Sequence, residues 1–290
     1  MPEHQSAQPG SPENAPHGTG TSRRTALAAF GGLGAAAIGL NVSAASAHST
    51  PASSGQRWTP SCVLAPEQME GPYYLDYGIR REDITEDREG LDLLLKIVVV
   101  DADSCLPLPD VAVDIWHCDA LGVYSSYTGY GNGILPPVDE NGHAAPTDET
   151  TWLRGVQLTD AAGVASFRSI VPGWYTGRAV HIHVKTVTGA EAEGATVEGG
   201  HVSHTGQLYF PERFNAELGS LAPYRENRIE RVTNDEDVLY TGGGEGAVSE
   251  LDVKPGPFGR GITGTIVLGI QPDATPPPDP MPPMPPPGTN

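Results

Sequence analysis

Residues 91–100 form a near-continuous apolar run, Leu-Asp-Leu-Leu-Leu-Lys-Ile-Val-Val-Val. It ends in the turn Asp103-Ser104-Cys105-Leu106-Pro107 and resumes as Val-Ala-Val-Asp-Ile-Trp over residues 111–116. Short β-branched runs broken by turn residues predict strands that pair, not helices. The same pattern recurs at 152–159 and 164–170, read as a hairpin around Asp160-Ala-Ala-Gly163, and at 181–187, 207–210, 249–253 and 262–270. The 36 glycines and 28 prolines suit many short connections. One helix is expected, over residues 211–218, with Pro211 at its start. The expected fold is all-β: a two-sheet antiparallel β-sandwich with long active-site loops and little helix, over residues 61–270.

The flanks read differently. Residues 1–20 are polar and rich in Pro and Gly. Arg23-Arg24 then precedes a weakly apolar run ending in Ala45-Ser46-Ala47, the pattern of a twin-arginine signal peptide over residues 1–47. Residues 48–60 read as a flexible lead-in and 271–290 as a Pro-rich disordered tail. The expected location is therefore secreted. Among 290 residues the formal charge is −19, which argues against a nucleic-acid or anionic-membrane partner. The three cysteines lack metal-site spacing, and Cys105 with Cys118 is the preferred disulfide, leaving Cys62 over.

Chemistry concentrates in Pro172-Gly-Trp-Tyr-Thr-Gly-Arg-Ala-Val-His-Ile-His183. On a strand, His181 and His183 point to one face and can reach one metal ion. Tyr175 and Arg178 stand just before them, and Tyr124 follows the strand at 111–116. Two phenols and two imidazoles suit neither Zn(II) nor Mg(II) or Ca(II), whereas a hard Fe(III) ion favours phenolate. His201 and His204 fall in a Gly-rich stretch read as a solvated loop. Trp116 is expected in the core, and His117 and Asp119 are expected to orient a turn.

These pieces, with Glu70-Gly-Pro-Tyr73, Val113-Asp-Ile-Trp-His-Cys-Asp-Ala-Leu-Gly-Val-Tyr124 and Thr205-Gly-Gln-Leu-Tyr-Phe210, resemble the intradiol ring-cleavage dioxygenases, in that family's order. The resemblance implies an enzyme that opens catechol rings between the two hydroxyl-bearing carbons with O2, giving muconate-type diacids. It implies one non-haem Fe(III) per chain, held by Tyr124, Tyr175, His181 and His183. Tyr175 would be the ligand that leaves and takes up a catechol proton. Arg178 would balance charge, and Gln207 would lie near the substrate. Small-molecule catechols and O2 are then the partners, with no nucleic acid and no membrane in the mature form; the oligomeric state stays open. The competing reading is a secreted β-sandwich binding module that kept the scaffold without the activity. Thr176-Gly177 stands where many relatives carry Pro and a large residue, and the loops at 125–150 and 189–205 are expected to set substrate preference.

Overall fold

The computed structural model describes residues 62–242, 249–256 and 260–276. The twin-arginine segment, the lead-in and most of the Pro-rich tail lie outside them. Two sheets pack face to face. One runs β10 (Asp252–Pro255), β11 (Ile262–Ile270), β1 (Asp92–Asp101), β4 (Val164–Ile170). The other runs β3 (Arg154–Leu158), β2 (Ala112–Trp116), β5 (His181–Thr188), β8 (His201–Tyr209), β9 (Ser249–Glu250). A small hairpin, β6 (Glu191–Glu193) with β7 (Thr196–Glu198), stands apart. Most pairs are antiparallel; β1 with β11 and β8 with β9 run parallel. Apolar runs define strands but not the direction of their neighbours, so the parallel pairs emerge only from the fold.

Alternation builds the core. Leu93, Leu95, Ile97 and Val99 of β1 face inward, against Val113 and Ile115 of β2, Ile182 and Val184 of β5, and Leu208 of β8. Burying each such side chain contributes about 1.5–3 kcal/mol before chain entropy is counted. The helix α1 (Glu212–Leu218) starts after Pro211 as expected and buries Leu218 against this core.

Three expectations fail. β3 and β4 form no hairpin: they belong to different sheets. Asp160 does make the turn, its Oδ1 accepting from the Ala162 and Val164 backbone N–H groups at 2.8 and 2.9 Å. The strands then diverge because a strip at 79–84 lies between them, bonded to both. Val156 N–H donates to Ile79 O at 2.8 Å, and Ile84 N–H donates to Arg168 O at 3.0 Å. Second, the disulfide joins Cys62 to Cys105, while Cys118 is free and buried. Cys105 and Cys118 flank opposite ends of β2, whose five residues span roughly 16 Å at the usual rise per residue, far beyond a disulfide's reach. Cys62 instead lies beside Gly269 near the end of β11, and β11 runs next to β1, which leads into Cys105. Third, β8 begins at His201, and His204 is buried with Nδ1 2.6 Å from Glu67 Oε1, so it is not solvated. Gly199 and Gly200 end before the strand, and the polar residues after them pair with β5 despite their composition.

Candidate metal centre

The outer face of the five-stranded sheet carries the chemistry. Trp116, His183 and Gln207 stand side by side across β2, β5 and β8, and His181 pairs with Tyr209 one row further on. β5 is buried on both faces along most of its length. His181 Nε2 and His183 Nε2 approach to 3.1 Å, so both imidazoles turn toward one point. The His181 Nδ1 lies 2.7 Å from Ala179 O, a partner that can only accept; Nδ1 therefore carries the proton and Nε2 presents its lone pair. Trp116 stacks on the His183 ring, 4.9 Å between centroids and 7° between planes, and its burial agrees with the expected packed role.

Two turns bring the tyrosines in. Tyr124 closes the turn 119–124 after β2, where Asp119 Oδ1 accepts from the Leu121 and Val123 N–H groups at 2.9 and 3.0 Å, orienting it as expected. Tyr175 lies in the turn before β5. The turns touch backbone to backbone: Gly173 N–H donates to Asp119 O at 3.0 Å. Only glycine permits this. A Cβ on Gly122, whose φ is +82°, would lie 2.1 Å from Trp174 O, and one on Gly173 would lie 2.3 Å from Ala120 O. Asn132, from the long loop, clamps both turns, donating to Leu121 O and accepting from Thr176 N–H at 3.3 Å. His117 does more than orient a turn: buried, it bridges Cys118 O and Ser169 Oγ, each at 2.8 Å.

Tyr124, Tyr175, His181 and His183 thus converge, all buried. Tyr175 Oη lies 3.4 Å from His181 Nε2, and the Tyr124 ring lies 5.6 Å from that of Tyr175 and 6.2 Å from that of His183. The buried Tyr124 hydroxyl faces the Tyr175 hydroxyl without making a well-formed hydrogen bond to it, and each shifts the other's ionisation. The His183 Nδ1 lacks a partner. Buried polar atoms are rarely left so in folded proteins, and a phenol aimed with three other donors at one point fits a shared cation. Burial by itself pushes both phenols up and both imidazoles far down, so the bare protein holds the set neutral. Deprotonating two such phenols takes a strongly polarising ion. Among the described residues no cluster of three or more His, Cys, Asp and Glu side chains suits a metal; the two-nitrogen, two-phenol set is the candidate centre on its own geometry.

Arg178 and Gln207 join it. Arg178 Nη1 lies 3.4 Å from Tyr175 Oη, and Nη2 donates to Gln207 Oε1 and to the Tyr209 hydroxyl at 3.2 Å. Gln207 Nε2 donates to Met69 O at 3.0 Å, so the amide is engaged at both ends. Sequence reasoning missed Asp237, whose carboxylate grips Arg178 Nε at 3.0 Å. It also missed Tyr73, stacked on Tyr124 at 4.4 Å. Tyr73 lay within the quoted Glu-Gly-Pro-Tyr piece, but no local signal marks Asp237. Two clefts, of about 260 and 540 Å3, flank Lys185 one row from His183. The smaller reaches Gly71, where a Cβ would sit 3.4 Å from His183 Cε1.

A β-sandwich with a buried pair of imidazoles and pair of phenols on one sheet's outer face defines a narrow class. An intradiol ring-cleavage dioxygenase from Tetranychus urticae is 32% identical, with a TM-score of 0.64, covering 74% of this chain and 97% of that one. On that coverage, the chain belongs to the intradiol ring-cleavage dioxygenases, a family of enzymes. The catechol 1,2-dioxygenase of Acinetobacter baylyi is 32% identical over 117 residues, 38% of this chain. The match spans 32% of the length of that curated relative. No protein-family model matches the chain.

Proposed function

We propose that this chain cleaves catechol-type rings between their two hydroxyl-bearing carbons, using O2 and one non-haem Fe(III). The observation that carries the reading is the convergence of four buried donors, the Tyr124 and Tyr175 phenols and the His181 and His183 imidazoles. Tyr124, Tyr175, His181 and His183 are the residues that would hold the ion. When bound, Fe(III) supplies a Lewis acid that binds the diolate form of a catechol and activates it toward O2. The chain's share is positioning and proton handling. Tyr175 Oη is the atom assigned to receive a catechol proton. Arg178 keeps its charge throughout and faces the excess negative charge of a bound diolate. Gln207, engaged by Arg178 and Met69, holds that guanidinium and the strip at 68–71 in register. Tyr73 walls the site beside Tyr124.

Export by the twin-arginine route belongs to the same proposal. It is supported by Arg23-Arg24 ahead of a weakly apolar run, and by a Cys62–Cys105 disulfide suited to an oxidising compartment. Replacing both arginines with lysine is expected to retain the protein in the cytoplasm, read by fractionation.

The central test is colour. Purified after expression with ample iron, the protein is expected to carry one iron per chain and a red-brown tyrosinate charge-transfer band that shifts on anaerobic addition of catechol. A colourless, iron-free protein would refute the reading and favour a scaffold without the chemistry.

A further inference from the structure

Arg178 is gripped from 59 residues downstream. Its Nε donates to Asp237 Oδ2 at 3.0 Å and Oδ1 at 3.3 Å. Asp237 is fully buried, at 0% exposure. Its Oδ2 also accepts the Ala179 N–H at 2.9 Å. Its Oδ1 accepts from the Leu239 and Tyr240 N–H groups at 2.8 and 3.4 Å, capping the short helix α2 (Val238–Thr241). A guanidinium is planar, so fixing its Nε edge fixes where the other two nitrogens point. Here they point to Tyr175 Oη on one side and to Gln207 and Tyr209 on the other.

We propose that Asp237 is a positioning residue of the metal centre: it aims Arg178 at Tyr175 Oη and offsets most of that guanidinium's charge. Capping alone does not account for it. The cap uses only Oδ1, and α2 buries none of its residues, so a helix of four residues gives no reason to bury a carboxylate completely. Oδ2 is spent wholly on Arg178 and the backbone leading into β5. With the carboxylate present, Arg178 acts on the site as half of an ion pair, with a weaker attraction for anions than a lone cation has.

The proposal rests on the ferric reading of Tyr175, and its test separates the two. Asp237→Asn removes the charge while keeping an oxygen for the cap, since asparagine caps as well as aspartate. In the iron-loaded enzyme it is expected to melt cooperatively, keep its iron and shift the charge-transfer band. Anaerobic titration should show catechol bound about 10-fold more tightly, because the guanidinium is no longer offset. Turnover should fall about 10- to 100-fold as Arg178 loses its aim. Tighter binding with slower turnover is a split that a merely structural role would not produce. Asp237→Glu, which restores the charge but displaces it, should return catechol affinity toward the wild-type value without restoring full turnover. Should Asp237→Asn fail to fold, Asp237→Glu carries the test alone: the displaced carboxylate should shift the band and lower turnover with the iron retained. An unmoved band, affinity and turnover in the folded variants overturn the role of Asp237 alone. So does a loss of iron in proportion to activity. A wild-type protein that takes up no iron overturns the ferric reading and this proposal with it.

Discussion

The two sheets share one inward face and differ in what covers the other. On the four-stranded sheet the outward row Lys96, Ser166 and Thr265 lies side by side, and Lys96 is exposed. On the five-stranded sheet the outward row Trp116, His183 and Gln207 is buried beneath the strip at 69–75 and the turns carrying Tyr124 and Tyr175. A sheet face left to water carries polar side chains at little cost. A sheet face that is roofed over must satisfy or use every polar group it holds. That second condition makes β5 a site: both imidazoles are desolvated, that of His181 held at Nδ1 and that of His183 packed on Trp116.

Within the five-stranded sheet a second contrast runs along β5. One row from His183, Lys185 pairs with Glu70 and lies 3.4 Å over the Tyr74 ring, so its charge is answered locally. Glu70 in turn meets His143 Nε2 at 2.6 Å, tying the long loop to the strand. The end bearing the candidate metal centre leaves donors unanswered, whereas the charged end closes on itself.

Substitutions at the candidate metal centre are expected to have the largest effects. His183→Ala should abolish iron binding, read by metal analysis and loss of colour. Tyr175→Phe should retain part of the iron but lower turnover about 10²- to 10⁴-fold, the usual worth of a placed proton acceptor, measured by oxygen uptake. Unimpaired turnover in Tyr175→Phe would remove the distinction between the two ends of β5. Next comes the contact between turns: Gly122→Ala forces a Cβ against Trp174 O at a positive φ. It should cost on the order of 1–3 kcal/mol in chemical denaturation and weaken iron retention.

A pH-dependent effect belongs to Asp114, beside Lys185, where burial lifts the carboxyl to about 7. An unfolded aspartate titrates near 3.9. The folded state therefore holds a proton the unfolded state has already lost. The resulting stability is present at low pH and is lost as pH rises from about 4 to about 7. Relative to Asp114→Asn, the wild type should lose on the order of 4 kcal/mol across that window and stay level above it, read by melting at stepped pH. Smallest of all, Lys96→Ala on the solvated face should change stability by less than about 0.5 kcal/mol and leave iron content unaltered.

The strands at 92–101, 112–116 and 262–270 and the helix after Pro211 were legible because apolar alternation and a helix-starting proline are local signals. The failed hairpin was not legible: its turn is encoded at Asp160, but the intervening strip comes from some 75 residues earlier in the chain. The disulfide failed for a similar reason, since the nearest cysteine along the chain stands at the wrong end of β2. Tyr124, Tyr175, His181 and His183 could be named because residue type and family order marked them. Asp237 could not, because an aspartate before a four-residue helix resembles any other cap.

Which residues face one way on each strand, and which side chains offer nitrogen and phenolic oxygen, can be read along the chain, because alternation and donor chemistry are properties of single residues and near neighbours. That two glycine-bearing turns meet backbone to backbone, that one sheet's outer face is roofed, and that a buried carboxylate bonds Arg178 emerge in the folded chain alone. Each of these depends on groups distant along the chain arriving within a few ångströms, and sequence spacing carries no measure of that.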